Sequence, residues 1–268
     1  MTTKKTFKHF QRWILCWVSM AITGLFLNIA CAHADDLTFY TDENPPINFT
    51  KNGKVTGIAN EVVMEIQRRI NDHAPIIVTP WARGYQTALG RGVVGLYPMV
   101  RIKEREHLFK WVGPVFNVST SFYALHDSPL QIHSLSEAKA LPPILVPRLY
   151  YFQQYLSSQG FNNLDMVDGP EVLMHMFIAG RRPVMVIDNL TLGPLLERNG
   201  ATKQDVRTLY TFLKSQSYIA FSIDTPDAVV QRWQNTLNEL KRDGTFAKLY
   251  QAWLPGETPP GLYPDPVQ

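Results

Sequence analysis

Cysteine is the residue whose scarcity says most about this chain. The 268 residues hold two, Cys16 and Cys31, and both fall in a segment that reads as a removable leader. Lys4, Lys5, Lys8 and Arg12 give that segment a basic start, residues 14–29 form an almost purely apolar run, and Ala32-His33-Ala34 offers a small-x-small cleavage site. The run is short for a membrane span. Asn28 stands three residues before Cys31 where a lipoprotein signal wants leucine, so cleavage after Ala34 is expected and residues 35–268 form the mature chain. With no cysteine left, that chain has no disulfide, no thiol nucleophile and no thiolate metal site, although an oxidising compartment would permit disulfides. Charge of one sign is also lacking. Removing four of the 26 basic residues leaves 22 against 23 acidic ones, a net of −1, and nothing in that balance points to nucleic acid.

Catalytic signatures are missing as well. There is no Gly-x-Ser-x-Gly, no His-Glu-x-x-His and no glycine loop that could cradle a phosphate. The five histidines of the mature chain, His73, His107, His126, His133 and His175, are scattered. Glu104 and Glu106 flank Arg105 but point to different sides of any regular element, so they make no acid/base pair. No enzyme, cofactor or metal is expected. Internal repeats, low-complexity stretches and a second long apolar run are absent too.

What is present is an α/β alternation. Leu37–Tyr40 reads as a short strand that Pro45 and Pro46 cannot continue, and Asn52-Gly53 as a hairpin turn. Ile58, Val62, Ile66 and Ile70 recur at helical spacing. Ile76–Thr79 is a strand, Gly84–Gly90 a helix and Val93–Val100 another strand. Asn117–Leu125 is a long β-rich run. Ile144–Val146, Pro183–Ile187 and Tyr218–Ile223 read as later strands. Tyr150–Ser158, Pro170–Ala179, a segment after Pro226 and Thr245–Leu254 read as helices. The proline-rich end from Pro255 is expected to be extended or frayed.

The most informative stretch runs from Pro80 to Pro114. Arg83, Arg101 and Arg105 alternate there with Trp81, Tyr85, Tyr97 and Trp111, a mixture suited to holding a carboxylate and a planar or apolar body. Ligands in open α/β sheets bind outside the carboxyl ends of strands, where Trp81/Arg83 and Arg101/Arg105 both fall. The stretch resembles the periplasmic solute-binding proteins of amino-acid ABC transporters, extracellular solute-binding family 3. The resemblance rests on an aromatic Pro-Trp segment, a helix ending in glycine, a strand, and Ile102-Lys103-Glu104-Arg105 where that family has a Thr-Pro-Glu-Arg-like turn. Gly95 replaces the family's usual aspartate after the helix. Leu149, Tyr150 and Tyr151 stand where it has a glycine and small hydroxyls.

The resemblance implies a two-lobed periplasmic-binding-protein fold (type II), each lobe a mixed sheet flanked by helices, with two hinge crossovers. Lobe 1 would comprise residues 35–122 and 218–268, lobe 2 residues 123–217. The protein would be a periplasmic monomer that delivers a small polar or anionic, amino-acid-like solute to an inner-membrane ABC permease. Arg105 would clamp a carboxylate. Trp81, with Tyr40 or Tyr97, would wall the ligand, and Asp188 would take a cationic group or cap the following helix. Arg83, Arg101 and Tyr150 complete the candidate set, the extra arginines arguing for a more acidic ligand. Two alternatives stay open: a cyclohexadienyl-dehydratase-like lyase on the same fold, and a ligand-presenting subunit for a membrane receptor. The intact mass of periplasmic protein should match a chain beginning at Asp35, without a disulfide. A mass that retains residues 1–34, or a lipid on Cys31, would overturn the leader assignment.

Overall fold

The computed structural model describes residues 37–261. The expected leader, Cys16, Cys31, the start at Asp35 and residues 262–268 lie outside them. β1 (Thr38–Thr41) alternates half-buried and buried side chains. β2 (Phe49–Lys51) and β3 (Lys54–Thr56) form a separate antiparallel hairpin. Its turn residues Asn52 and Gly53 have φ of 53° and 74°, the left-handed pair that a tight hairpin requires. α1 (Ile58–Ile70) buries the stripe its spacing marks, Ile58, Val62, Ile66 and Ile70, together with Val63.

β4 (Ile76–Val78), α2 (Trp81–Leu89) and β5 (Val94–Val100) come next along the chain. α2 starts earlier than the sequence suggests, because the Pro80 carbonyl accepts from the Arg83 and Gly84 amides. Trp81 and Arg83 therefore occupy a helical first turn rather than a loop. The middle of the chain holds β6 (Phe109–Leu125), α3 (Leu135–Ala138), β7 (Ile144–Pro147), α4 (Tyr151–Ser158) and β8 (Leu164–Val167). α5 (Pro170–Ile178), β9 (Val184–Asp188), α6 (Asn189–Arg198), β10 (Val206–Ser222), α7 (Asp227–Arg242) and α8 (Thr245–Trp253) complete the order. α3 and β8 are four residues each, too short for either periodicity to announce them. The β-rich run at 117–125 and the return strand at 218–223 are the ends of two strands of 17 residues, β6 and β10.

Eight strands make one sheet in the order β4-β1-β5-β10-β6-β9-β7-β8. β1 runs parallel to β4 and β5, and β7 parallel to β8 and β9. The antiparallel pair β6/β10 joins these two groups. The register fixes where the groups point. Val100 at the end of β5 lies across from Ser217 on β10, which lies across from Phe116 on β6. Asp188 at the end of β9 lies across from Thr120 on β6. Since β5 runs with β6 and β9 against it, both carboxyl ends converge on the middle of the β6/β10 ladder. Phe116 and Thr120 are about 13 Å apart along an extended strand, the width of a cleft for a small molecule.

The core of the first group gathers around Phe39, whose ring lies 4.7 Å from that of Trp233 and 5.7 Å from that of Phe221. Gly95 is where this packing is tightest: a Cβ there would fall 2.2 Å from Cε1 of Phe39. The substitution that distinguishes this chain from its resembled family thus makes room for a fully buried ring.

The carboxyl end, expected to be extended or frayed, has no helix or strand over residues 257–261 and is fastened as far as Gly261. Pro260 is buried, Asn117 Nδ2 donates to the Thr258 carbonyl (3.3 Å), and Lys241 Nζ donates to the carbonyls of Gly261 and Pro114 (both 2.6 Å). The two Lys241 bonds tie the tail to β6, and burial pushes the Lys241 ammonium down to about 8. Among the described residues no helix is long and apolar enough to cross a membrane. Gly95→Ala should destabilise the protein by about 1–3 kcal/mol, read as a lower urea midpoint at unchanged slope. An unchanged midpoint would mean that Phe39 has free space to move into.

Candidate functional site

The two sets of strand ends enclose a cavity. The segment after β1 lines it with Asp42, Asn44 and Ile47, α2 with Trp81, and the turn after β5 with Arg105. Tyr150, Tyr151, Asp188, Leu190 and Thr191 face them from the other group, and Pro98, Val100, Phe116, Val118 and Ser217 form the floor. The space open to the centre of a water molecule is about 60 Å³, against roughly 10–15 Å³ needed to hold one water.

Arg105 ends a short 3₁₀ turn and has no exposed surface. Its Nε donates to Gln154 Oε1 (2.7 Å) and its Nη2 to the Leu149 carbonyl (3.0 Å). The guanidinium carbon sits 4.8 Å from the Tyr85 ring centre and 5.7 Å from that of Trp81, so the aromatic faces supply part of the solvation that burial removes. Burial still pushes the group down to about 10, which leaves it charged at neutral pH. Leu149 has φ of 60°, a left-handed conformation that costs a non-glycine residue about 1–2 kcal/mol. Its carbonyl accepts from Arg105 and also from Trp81 Nε1 (3.1 Å).

Two carboxylates share the cavity. Asp42 Oδ1 accepts from Asn48 Nδ2 (2.8 Å), and its Oδ2 lies 3.4 Å from the Tyr150 hydroxyl that donates to it. Burial outweighs these donors and raises Asp42 to about 6. Asp188 caps α6, accepting from the amides of Leu190 (3.1 Å) and Thr191 (2.9 Å) and from the Thr191 hydroxyl (3.1 Å). Burial raises it too, against the pull of those donors. A second bridge runs from Asn44 Nδ2 to Thr191 Oγ1 (3.2 Å). Among the described residues no group of histidines and carboxylates could hold a metal ion.

Of the candidate residues read from the sequence, Arg105, Asp188, Trp81 and Tyr150 come together around this cavity. Arg83, Tyr40, Tyr97 and Arg101 are not among its lining residues. Arg83 points outward from the first turn of α2 and is exposed. Tyr40 packs beside Trp81 and Trp111 on a small cluster that includes Tyr85 and Phe109. Tyr97 is in the core, its hydroxyl donating to Asn60 Oδ1 (2.8 Å). Arg101 pairs with Glu106, Nε to Oε2 at 2.8 Å, over the rings of Trp111 and Tyr218. Asp42, Asn44, Tyr151, Thr191, Gln154 and Ser217 were not anticipated. The rule applied to the other strand ends would have found Asp42, one residue beyond β1.

A profile of the bacterial extracellular solute-binding proteins, family 3, matches residues 37–256. The chain belongs to this family. No curated protein sequence matches it. Among solved structures it is similar to a mutant of ArgBP from T. maritima, with a TM-score of 0.69, 18% identity, and 81% of this chain and 95% of that one covered. A histidine kinase sensor domain with similarity to periplasmic binding proteins gives a TM-score of 0.73 at 18% identity, covering 85% and 99%. A structure from work on glutathione import via GshT and the cystine ABC importer TcyBC of Streptococcus mutans gives 0.70 at 16%, covering 85% and 98%. At such identities the likeness establishes the shared periplasmic-binding-protein fold and nothing finer.

For this solute-binding protein the raised Asp42 carboxyl has a consequence in the absence of ligand. Its folded value of about 6 exceeds the ordinary 3.8, so between those pH values the folded chain holds more protons than the unfolded one. Stability therefore falls as pH rises through that window, and the loss is fully present above it. Asp42→Asn should raise the melting temperature of ligand-free protein at pH 7.5, by an amount that shrinks towards zero near pH 4. An equal shift at both pH values would show that the gain has another cause.

Proposed function

We propose that the protein binds a small amino-acid-like solute carrying net positive charge in the cavity between the two strand groups, for delivery to an inner-membrane ABC permease. The observation that carries the charge is the pairing of two buried carboxylates, Asp42 and Asp188, with one buried arginine in a single cavity. Burial raises both carboxyls, and a cationic group placed between them would be the partner that a buried carboxylate seeks. This reverses the acidic ligand suggested by Arg83 and Arg101, since neither lines the cavity. Arginine, which carries such a net positive charge, is bound in a structure of truncated ArgBP from T. maritima and in one of an ancestral arginine-binding protein, which is also seen with glutamine.

Residues 35–122 with 218–268, and 123–217, would act as the two lobes, the middle of β6 and β10 being the hinge. A ligand touching Asp42 and Asp188 favours the closed arrangement because only there does it meet both. The family's periplasmic or extracellular location agrees with the leader read from residues 1–34, and a monomer suffices for one cleft. One observation favours a second reading, a lyase on this fold: a buried carboxyl near 6 is poised for general acid or base work. Recovery of a bound ligand chemically unchanged after long incubation would favour binding.

Calorimetric titration at pH 7.5 with L-arginine, L-lysine, L-glutamine and L-glutamate tests the charge. The basic pair should bind at least tenfold more tightly than glutamate, a difference of about 1.4 kcal/mol. Tightest binding of glutamate would overturn the proposal.

A further inference from the structure

Two polar groups in the cavity have no hydrogen-bond partner among the described residues: Arg105 Nη1 and the Ser217 hydroxyl, both buried. Both residues line the same cavity. Ser217 is 2% exposed and lies across from Val100 on β5 and from Phe116 on β6, both of which line the cavity beside it. Arg105 comes one short turn after β5.

The partners that Arg105 does have make the vacant donor specific. A guanidinium offers a carboxylate either its lateral edge, Nε with Nη2, or its end, Nη1 with Nη2. The lateral edge already donates to Gln154 Oε1 and the Leu149 carbonyl, the two acceptors standing where carboxylate oxygens would sit. The start of α4 is shut in the same way. Tyr150 turns its hydroxyl to Asp42, and the hydroxyls of Tyr151 and Thr120 bond each other at 2.5 Å. Among the described residues, Arg105 Nη1 and Ser217 Oγ are the buried cavity atoms left with no hydrogen-bond partner at all.

We propose that Ser217 is a specificity-determining residue whose hydroxyl, together with Arg105 Nη1, grips the carboxylate of the ligand against the β5/β10 floor, away from the lateral edge of Arg105. This rests on the reading of the cavity as an amino-acid-like binding site. Ser217 then separates a basic amino acid from the corresponding amine, which satisfies the acids but leaves both donors bare.

The test is Ser217→Ala titrated at pH 7.5 with two matched pairs of probes, L-arginine with agmatine and L-lysine with cadaverine. In each pair the second member lacks the carboxylate. Wild type should prefer the amino acid, and the variant should lose at least tenfold in affinity for it, about 1.4 kcal/mol, while amine binding changes less than twofold. The amine serves as the folding control. Equal losses for both members would make Ser217 merely structural and overturn the inference. Wild-type protein that binds amine and amino acid equally would overturn the carboxylate grip but leave a cation site. Wild-type protein that binds none of the four would overturn the proposed function itself.

Discussion

The cleft depends on an arginine with no exposed surface and no carboxylate partner. Removing a guanidinium from water is costly unless hydrogen bonds and aromatic faces replace the solvent. Around Arg105 the replacements are the Leu149 carbonyl, Gln154 Oε1 and the rings of Tyr85 and Trp81. The two hydrogen-bond acceptors come from beyond β7, the aromatic faces from α2. Satisfying Arg105 therefore holds the ends of β5 and β7 against each other. The left-handed backbone of Leu149 belongs to the same constraint. A residue with branched bulk keeps a conformation that glycine would adopt freely, and its carbonyl serves two donors from the opposite wall.

Much of this was legible from residue spacing. Strands ending at Val100 and Asp188 are implied by short apolar runs bounded by glycine or proline, and ligand sites at strand carboxyl ends by sheet geometry. Arg105 and Trp81 were reached that way, and Asp188 through the family resemblance. The differences between the candidate residues and the cavity lining have distinct causes. Pro45 and Pro46 mark where the first strand must stop, but they give no direction to the side chain of Asp42 just past its end. Arg101 and Arg83 sit in the right stretch, but an adjacent Glu106 and the turn of a helix decide where their side chains go. Ser217 could not be placed from period-two alternation at all. Register shifts interrupt β10 between Ser217 and Ile219 against β6, and between Tyr218 and Ala220 against β5. Each such shift changes the face on which later residues point.

The departures from the family pattern now have physical content. Gly95 belongs to the packing of Phe39, not to the cleft. Leu149-Tyr150-Tyr151 does more than delete small hydroxyls. Leu149 supplies a carbonyl to the buried cation, Tyr150 donates to a buried acid, and Tyr151 closes on Thr120 in the crossover strand. Bulk at the start of α4 converts a ligand-facing helix end into a set of contacts within the protein itself.

That conversion changes what a ligand must do. Where a helix start offers free amides and hydroxyls, a ligand gains by adding bonds to an open wall. Here the wall is bonded across the cleft already, through Leu149, Gln154, Tyr150 and Thr191. A ligand shifts the balance between open and closed forms only by its differential interaction with them. Contacts that the closed protein makes for itself contribute nothing to that difference. What remain are the buried carboxyls of Asp42 and Asp188 and the two cavity atoms without a hydrogen-bond partner, Arg105 Nη1 and Ser217 Oγ. On the proposed reading, selectivity in this cleft is therefore set by the groups that the protein leaves unsatisfied rather than by those it has paired.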